Sequence, residues 1–248
     1  MAKPKILLYD IETAPILGYT WALFDQNVIA VERDWYILAF AYKWLGEDQV
    51  RSFGLPDYPG YKPEAHDDEK LCVDLHRVLD EADVVIGHNL DAFDNKKSNA
   101  RFVYHGMKPP SPSKTIDTLK LAKKHFKFDS NRLNSLGQFL GVGQKAPTGG
   151  FELWKGCMSG DPESWVKMKK YNTQDVVLLE RVYEQLRPWA TALPDLSGHL
   201  GNHACPSCSG NRLQRRGTTI SRTRKYQRFQ CQDCGHWSKG EIIKVNTE

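Results

Sequence analysis

The sequence predicts a mixed α/β domain, with a sheet covered by helices, followed by a small metal-stabilised ribbon. Three observations support this prediction: early apolar runs of strand length, later segments with helical apolar spacing, and two Cys-x-x-Cys pairs near the C-terminus. The 248 residues are enough to bury a full core. We therefore expect a large domain over residues 1–195 and a ribbon over residues 199–248.

Short apolar runs predict four strands, over residues 5–12, 36–44, 49–53 and 83–87. Helical spacing predicts five helices, over residues 66–80, 94–105, 118–126, 133–140 and 162–189. The last helix has a clear start, because Asp161 is a typical N-cap and Pro162 suits the first turn. This order of elements is typical of a mixed sheet flanked by helices.

The composition gives no sign of membrane insertion or secretion. No apolar run approaches the roughly 20 residues that span a bilayer, and no signal-peptide pattern opens the sequence. We therefore expect a cytoplasmic protein with no membrane partner. In a reducing compartment the paired cysteines indicate metal, and Cys72 and Cys157 are expected to be isolated thiols.

Carboxylates stand at the ends of two predicted strands. Asp10 and Glu12 end the first strand, where alternation points both to the same side. Asp94 stands in the first turn of the helix that follows residues 83–87. Each has an ordinary interpretation, since acids at strand ends are often solvated and Asp91 or Asp94 can cap a helix. These acids indicate a functional site only when they are considered together with a third segment.

That third segment lies inside the last predicted helix. Tyr171 and Asp175 are four residues apart, so they share one helical face. Val176, Leu179 and Val182 continue an apolar stripe beside them. A buried carboxylate must be paired or bind a metal. An aspartate at the margin of a helix interface is the alternative.

Four carboxylates gathered at one point would repel one another strongly unless cations neutralise them. Asp10, Glu12, Asp94 and Asp175 offer the oxygen ligands that suit Mg²⁺ or Mn²⁺. Two such ions can activate water and stabilise the leaving 3′-oxygen at a scissile phosphate. The pattern therefore indicates hydrolysis of phosphodiester bonds.

Three segments resemble the exonuclease motifs of the DEDD superfamily, tyrosine subtype, which has an RNase H-like fold: Asp10-Ile11-Glu12, residues 89–94 and residues 171–175. The resemblance covers residues 5–187. It implies that Asp10, Glu12, Asp94 and Asp175 hold the two metal ions, with Tyr171 orienting the attacking water. The implied activity is 3′-to-5′ hydrolysis of single-stranded nucleic acid, with DNA preferred to RNA as the expected substrate.

Two other functions stay open at this point. RNase H-like endonucleases also use paired carboxylates and two metals, and an inactive domain of this fold can serve as a nucleic-acid-binding module. The position of Tyr171, four residues before Asp175, favours the exonuclease over the endonuclease. The presence of all five signature residues argues against the inactive module.

Several residues near the acids are candidate substrate contacts. Thr13 follows the first motif, Asn89 precedes the second helix, and Lys97 lies within it, although a solvated lysine is an equally good interpretation. We expect Asp117 to cap the helix that follows it rather than to bind metal. Three aromatic residues either stack on bases or belong to the core: Trp21, Phe24 and Trp35.

The two Cys-x-x-Cys pairs predict one structural Zn²⁺ site. Four thiolates bind zinc tetrahedrally, and the 22 residues between the pairs leave room for a long hairpin. Redox-active pairs or unrelated thiols are the alternatives. The predicted ligands are Cys205, Cys208, Cys231 and Cys234, with His199, His203 and His236 as nearby substitutes.

The ribbon carries the excess charge of the chain. Nine basic and three acidic residues follow position 197, whereas the net charge of the whole chain is only +4. The segment resembles the zinc ribbons of transposases and transcription factors, which implies contact with nucleic acid. Docking of another protein is the competing interpretation. We expect a two-stranded ribbon with four phosphate-binding arginines: Arg215, Arg222, Arg224 and Arg228.

Overall fold

The computed structural model describes residues 4–24, 26–191, 193–195 and 204–243. Seven strands precede the ribbon: β1 (Ile6–Thr13), β2 (Leu17–Tyr19), β3 (Ala30–Arg33), β4 (Ile37–Trp44), β5 (Arg51–Gly54), β6 (Val84–Gly87) and β7 (Lys114–Asp117). Six α-helices accompany them: α1 (Glu69–Asp80), α2 (Asp94–Tyr104), α3 (Thr118–His125), α4 (Leu133–Phe139), α5 (Glu152–Met158) and α6 (Pro162–Leu186).

Five strands form one mixed sheet in the order β5-β4-β1-β6-β7. Strand β1 is central, since it pairs antiparallel with β4 and parallel with β6. The parallel pairing continues to β7, and β5 closes the other edge antiparallel to β4. The predicted fold class, a mixed sheet flanked by helices, is confirmed.

The four predicted strands and five predicted helices are all present, with ends shifted by a few residues. Four elements escaped prediction: β2, β3, β7 and α5. Strand β7 holds only four residues, and α5 follows two glycines, so neither has a long apolar pattern. Strands β2 and β3 form a separate hairpin whose side chains are largely exposed, so no burial pattern marks them.

Side chains of β1 alternate between two cores. Leu7, Tyr9 and Ile11 pack on one face with residues of α1 and α2. Ile6 and Leu8 pack on the other face with residues of α3, α4 and α6. Because the alternation continues along the strand, the next two side chains on the second face are carboxylates, on the side covered by α6.

Helix α6 passes from one core to the other. Trp165 and Met168, in its first half, belong to the core shared with α1 and α2. Val176 and Leu179, further along, belong to the opposite core. The middle of the helix therefore lies at the sheet end where β1 terminates. Its cap is the predicted one, since the Asp161 side chain accepts a hydrogen bond from Ser164 N at 3.0 Å.

The C-terminal segment is a small antiparallel sheet of three strands: β8 (Leu213–Ile220), β9 (Lys225–Cys231) and β10 (Trp237–Ile242). The prediction of a two-stranded ribbon was incomplete, because the largely exposed residues 237–242 add a third strand to β9. The predicted boundary between the two domains lies outside the described residues. Among those described, no helix is both long and apolar enough to cross a membrane.

A buried ionic network fixes α2 against β4. Asp68 is fully buried and accepts hydrogen bonds from Ile37 N and Arg101 Nε, both at 2.8 Å. His105 Nε2 lies 2.6 Å from its second oxygen. Cys72 completes a cluster with the ligand geometry of a metal site, but the Arg101 guanidinium already provides the cation. The network therefore holds the helix that begins with Asp94.

We predict that Asp68→Ala lowers the free energy of unfolding by about 3–5 kcal/mol, because it leaves the Arg101 charge buried without its partner. Urea denaturation monitored by circular dichroism measures this change. The control is Lys155→Ala, which breaks an exposed pair with Glu152 and should change stability by less than about 0.5 kcal/mol. Equal effects of the two variants would contradict the role of the network.

Candidate active site and cysteine cluster

The structure brings three predicted carboxylates together at the end of β1. Oxygens of Asp10, Glu12 and Asp175 all lie within 4.8 Å of one another. The first two come from alternate positions of β1, and Asp175 comes from the middle of α6. Their convergence follows from strand alternation and from the path of α6 across the sheet.

Asp94 reaches the same strand from the start of α2. Its Oδ1 accepts a hydrogen bond from Ile11 N, between the two acids of β1, at 3.2 Å. Asn172, which sequence reasoning missed, is also buried here and donates to Asp10 Oδ2 at 2.7 Å. It stands three residues before Asp175 on α6, so the same helical face that carries Asp175 also orients Asp10.

Burial raises the pKa values of all four carboxyl groups, and repulsion by neighbouring acids of the cluster adds to the rise for Asp10 and Glu12. Burial, with the charges of Asp94, Glu12 and Asp175, raises the pKa of Asp10 well above its usual range. Burial and the Asp175 charge raise the pKa of Glu12 to about 8. Burial raises the pKa of Asp94 to about 7, despite the Ile11 hydrogen bond. The cluster therefore contains more carboxyl groups than the nearby positive charge can neutralise.

These residues fit a divalent cation. The Oδ1 atom of Asp175 is buried and has no hydrogen-bond partner among the described residues. An ionised oxygen without a partner is costly in a protein interior, and a hard cation such as Mg²⁺ or Mn²⁺ would satisfy it. Asp10, Glu12 and Asp94 supply further oxygens of the same chemical type.

Tyr171 lies beside Asp175 as its spacing predicted, and a second neighbour was not predicted. Lys145 Nζ donates to Asp175 Oδ2 at 2.6 Å and to Tyr171 Oη at 3.0 Å. Burial raises the pKa of Asp175, and the Lys145 ammonium opposes that rise. The Tyr171 ring packs edge-on against Trp154 of α5. Lys145 sits in a loop without regular pattern, so no sequence signal marked it.

Asp117 is a cap, as predicted. Its Oδ1 accepts from Leu119 N at 2.9 Å, at the start of α3. The same carboxylate accepts from Asn89 N at 3.0 Å and Asp91 N at 3.3 Å. Asn89 has a left-handed backbone, with φ of 65°. Asp117 therefore fixes the turn between β6 and α2 that leads to Asp94.

A basic cavity adjoins the carboxylates. Its volume is about 680 Å³, and Lys145, one of its lining residues, contacts Asp175. No acidic residue lines it, whereas Lys123, Arg132 and Lys145 do. The lining therefore suits phosphate groups. Of the predicted contacts, only Asn89 belongs to this wall.

Thr13 and Lys97 have other surroundings. Thr13 ends β1, directly after the acidic pair, where the register with β4 shifts. The Lys97 ammonium lies 3.5 Å from the centre of the Trp35 ring, so it packs on an aromatic face. Trp35 in turn borders the first core, whereas Trp21 and Phe24 are exposed at the surface.

The four predicted zinc ligands form one cluster. Sγ of Cys205 lies 3.7 Å from that of Cys234, and Sγ of Cys208 lies 3.6 Å from that of Cys231. Tetrahedral zinc with thiolates at about 2.3 Å requires sulfur separations of about 3.8 Å. The Gly210 N–H donates to the Cys208 sulfur, and the Asp233 N–H donates to the Cys231 sulfur. Of the substitute histidines, His236 is buried, and His199 and His203 lie outside the described residues.

The predicted arginines lie on the ribbon strands and their turn. Arg222 and Arg224 are exposed at the turn between β8 and β9. Arg228 packs its guanidinium on Trp237, with 4.6 Å to the ring centre, and donates to Arg216 O at 3.0 Å. Arg215 bonds Gln227 across the strands. The side chains of Arg215 and Arg228 therefore already make contacts within the ribbon.

Comparisons with known proteins agree with this architecture. Residues 33–187 match the family model described as RNase_H superfamily, which leaves β1 and its two acids outside the matched range. A similar solved fold is that of the family B DNA polymerase from the hyperthermophilic archaeon Pyrobaculum calidifontis, with 16% identity and a TM-score of 0.55. The match covers 75% of this chain and 25% of the polymerase, and at this identity it shows the fold alone. No curated protein matches the sequence.

We predict that, without divalent cations, the free energy of unfolding falls by roughly 1 kcal/mol or more between about pH 6.5 and 8.5. The folded chain holds protons on Glu12 and Asp94, with pKa values of about 8 and 7, that the unfolded chain has already released. This stability is therefore present at low pH and is lost as the pH rises through those values. Urea denaturation in resin-treated buffer measures it.

Two controls accompany the pH series. Millimolar Mg²⁺ should remove most of the decline, because the cation replaces the protons. Asp10→Asn should make the decline shallower, because it removes a carboxyl group whose own pKa is raised well above its usual range in the folded chain. A stability that is flat or rises over this range in wild-type protein would contradict the electrostatic account.

Proposed function

The chain belongs to the RNase H superfamily, and on that premise we propose that it is a metal-dependent 3′-to-5′ exonuclease acting on single-stranded nucleic acid, with DNA as the first substrate to test. The observation that carries this proposal is the position of Tyr171, one helical turn from a buried Asp175 in a cluster of carboxylates. The Tyr171 hydroxyl accepts a hydrogen bond from Lys145, which also binds Asp175, so the hydroxyl is held beside that carboxylate.

Asp10, Glu12, Asp94 and Asp175 would hold two Mg²⁺ or Mn²⁺ ions, which supply an activated water and stabilise the leaving 3′-oxygen. The chain's own groups complete the site. The Tyr171 hydroxyl orients the attacking water and holds its proton in a hydrogen bond. Lys145, 3.0 Å from that hydroxyl, places a positive charge beside the phosphate and opposes the charge that develops on it.

The basic cavity supports a substrate that is a chain rather than a single nucleotide. Lys123 and Arg132 lie in the cavity wall with Lys145, which also contacts Asp175. When the 3′-terminal nucleotide lies at the carboxylates, phosphates on the 5′ side of the scissile bond can bind this wall. We propose that Asn89, held by Asp117, contacts the strand at the junction of the two regions.

The ribbon is proposed to bind one structural Zn²⁺ and to hold the substrate. The sulfur separations support zinc, and the exposed Arg222 and Arg224 support contact with phosphates. A ribbon of this size has too small a core to fold unaided, so the metal also explains its stability. Docking of another protein remains the alternative role.

We predict a ladder that shortens from the 3′-end when 5′-labelled single-stranded DNA is incubated with Mg²⁺ or Mn²⁺ and resolved by gel electrophoresis. Asp175→Asn should reduce the rate by about a thousandfold or more, because it removes a metal ligand with little change in volume. Tyr171→Phe should reduce it by about tenfold to a hundredfold while retaining measurable hydrolysis. RNA and duplex DNA, run in parallel, establish the preferred substrate.

The matched control is Asp91→Asn, a neighbouring carboxylate that pairs with Lys120 outside the cluster and should leave the rate within about twofold. Discrete internal cuts would contradict the exonuclease proposal and would indicate an endonuclease. DNA that is bound but left intact would favour the non-catalytic binding module. Full hydrolysis by Asp175→Asn would overturn the assignment of the site.

We predict that Cys231→Ser loses zinc, as measured by elemental analysis, and binds single-stranded DNA about tenfold more weakly at low salt. Its plot of log affinity against log salt should also be shallower, because fewer phosphates are neutralised. Cys157→Ser changes a buried thiol outside the cluster and is the control. Zinc loss without any change in DNA affinity would instead favour a protein-docking ribbon.

A further inference from the structure

The β2–β3 hairpin, which follows the strand of Asp10 and Glu12, exposes large apolar side chains. Trp21, Leu23 and Phe24 near its tip are 88%, 90% and 81% exposed. Such a concentration of exposed apolar groups is uncommon on a soluble protein and marks a contact surface. The exposed large apolar residues of the hairpin are Ile16, Leu17, Tyr19, Trp21, Leu23, Phe24, Val28, Ile29 and Val31.

Both ends of the hairpin join elements that carry the predicted carboxylates. It leaves β1 directly after Thr13, and Ala14 N closes its base by donating to Tyr36 O at 2.9 Å. On the return side, Trp35 packs beneath Lys97 of α2. One root therefore continues the strand of Asp10 and Glu12, and the other contacts the helix that begins with Asp94.

Specific contacts shape the hairpin. Trp21 N donates to Gln26 Oε1 at 3.2 Å, and the Gln26 amide donates back to Ala22 O. The two strands approach closely at Gly18, where a Cβ would lie 2.7 Å from the carbonyl oxygen of Ala30 in β3. The exposed aromatic residues thus project from a turn with its own hydrogen bonds.

The charges of the hairpin point to bases rather than phosphates as its contact. Residues 15–32 contain no lysine or arginine, Asp25 and Glu32 are acidic, and Arg33, at the end of β3 away from the tip, contacts His66. Phosphates would therefore be repelled, while the flat faces of bases can stack on Tyr, Trp and Phe. Apolar side chains of this kind are also the ones that proteins insert between base steps to unstack them.

The reach of the hairpin fits the first nucleotides of a bound strand. An extended chain rises about 3.3 Å per residue, so Trp21, which stands eight positions after Thr13, lies at most roughly 26 Å from it. That upper limit corresponds to about seven stacked nucleotides. The active site takes an unpaired 3′-end, so a duplex must open over a comparable distance.

We propose that the β2–β3 hairpin is a wedge that stacks on the bases of a duplex end and separates its terminal pairs, delivering an unpaired 3′-strand to the carboxylates. This inference rests on the proposed exonuclease function, because it assumes that the strand is bound with its 3′-end at that site. It extends that function from single strands to recessed or blunt duplex ends.

The test compares wild-type protein with the double variant Trp21→Ala/Phe24→Ala. Both side chains are exposed, so their removal does not open a cavity in either core. The rates of hydrolysis of a blunt DNA duplex and of the matching single strand are measured with each protein. The ratio of duplex to single-strand rate should fall by about tenfold or more in the variant, the scale expected from loss of one or two stacked bases.

The control is Val166→Ala, an exposed apolar residue on α6 that is 67% exposed and lies outside the hairpin. It should leave the ratio unchanged. An equal ratio in wild-type protein and in the hairpin variant would overturn the wedge, even if both proteins degrade single strands. Light scattering is run on the same samples, and a dimer that the hairpin variant converts to monomer would also overturn it, in favour of self-association.

A second readout does not depend on hydrolysis. A blunt duplex with 2-aminopurine in the pairs next to its 3′-end is titrated with Asp175→Asn protein in Ca²⁺. Fluorescence should rise on binding, because the probe is unstacked, and should not rise when Trp21→Ala/Phe24→Ala is added to that background. If wild-type protein hydrolyses no DNA, the exonuclease proposal fails, and this titration alone decides whether the hairpin opens duplex ends.

Discussion

Repulsion among four carboxylates is the constraint around which this domain is organised. Asp10, Glu12 and Asp175 bring oxygens within 4.8 Å of one another, and Asp94 joins them through the backbone between the first two. Charges so close and so well buried raise the free energy of the folded chain unless a proton, an ammonium or a metal ion offsets them. Lys145 provides one such charge, and the unpartnered oxygen of Asp175 leaves a place for a cation.

The fold holds these acids together by packing that has little to do with charge. The alternating side chains of β1 bury Ile6 and Leu8 on one face and so direct Asp10 and Glu12 to that same face. Helix α6 buries residues in both cores, which places Asp175 at the end of the strand. Hydrophobic burial therefore sets the positions of the acids and supplies the free energy that offsets their repulsion.

Local patterns predicted most of this arrangement. Strand alternation, the i to i+4 spacing of Tyr171 and Asp175, and the cysteine pairs each have a fixed geometric meaning, and the structure places those residues as the geometry requires. The roles of those residues in catalysis stay predictions. What local patterns did not predict depends on tertiary contacts. Lys145 and Asn172 reach the site from a loop and a buried helical position, and the exposed hairpin has no buried face to give it a pattern.

Calorimetric titration with Mn²⁺ tests the central claim most directly, because it measures cation binding whatever the substrate is. Wild-type protein, first saturated with Zn²⁺ to fill the proposed ribbon site, should bind Mn²⁺ with release of protons, since the carboxyl groups must ionise. Asp10→Asn should weaken that binding by about tenfold or more, and Asp91→Asn should not. Equal Mn²⁺ binding by wild-type protein and folded Asp10→Asn would show that the carboxylates are gathered for some purpose other than holding a metal.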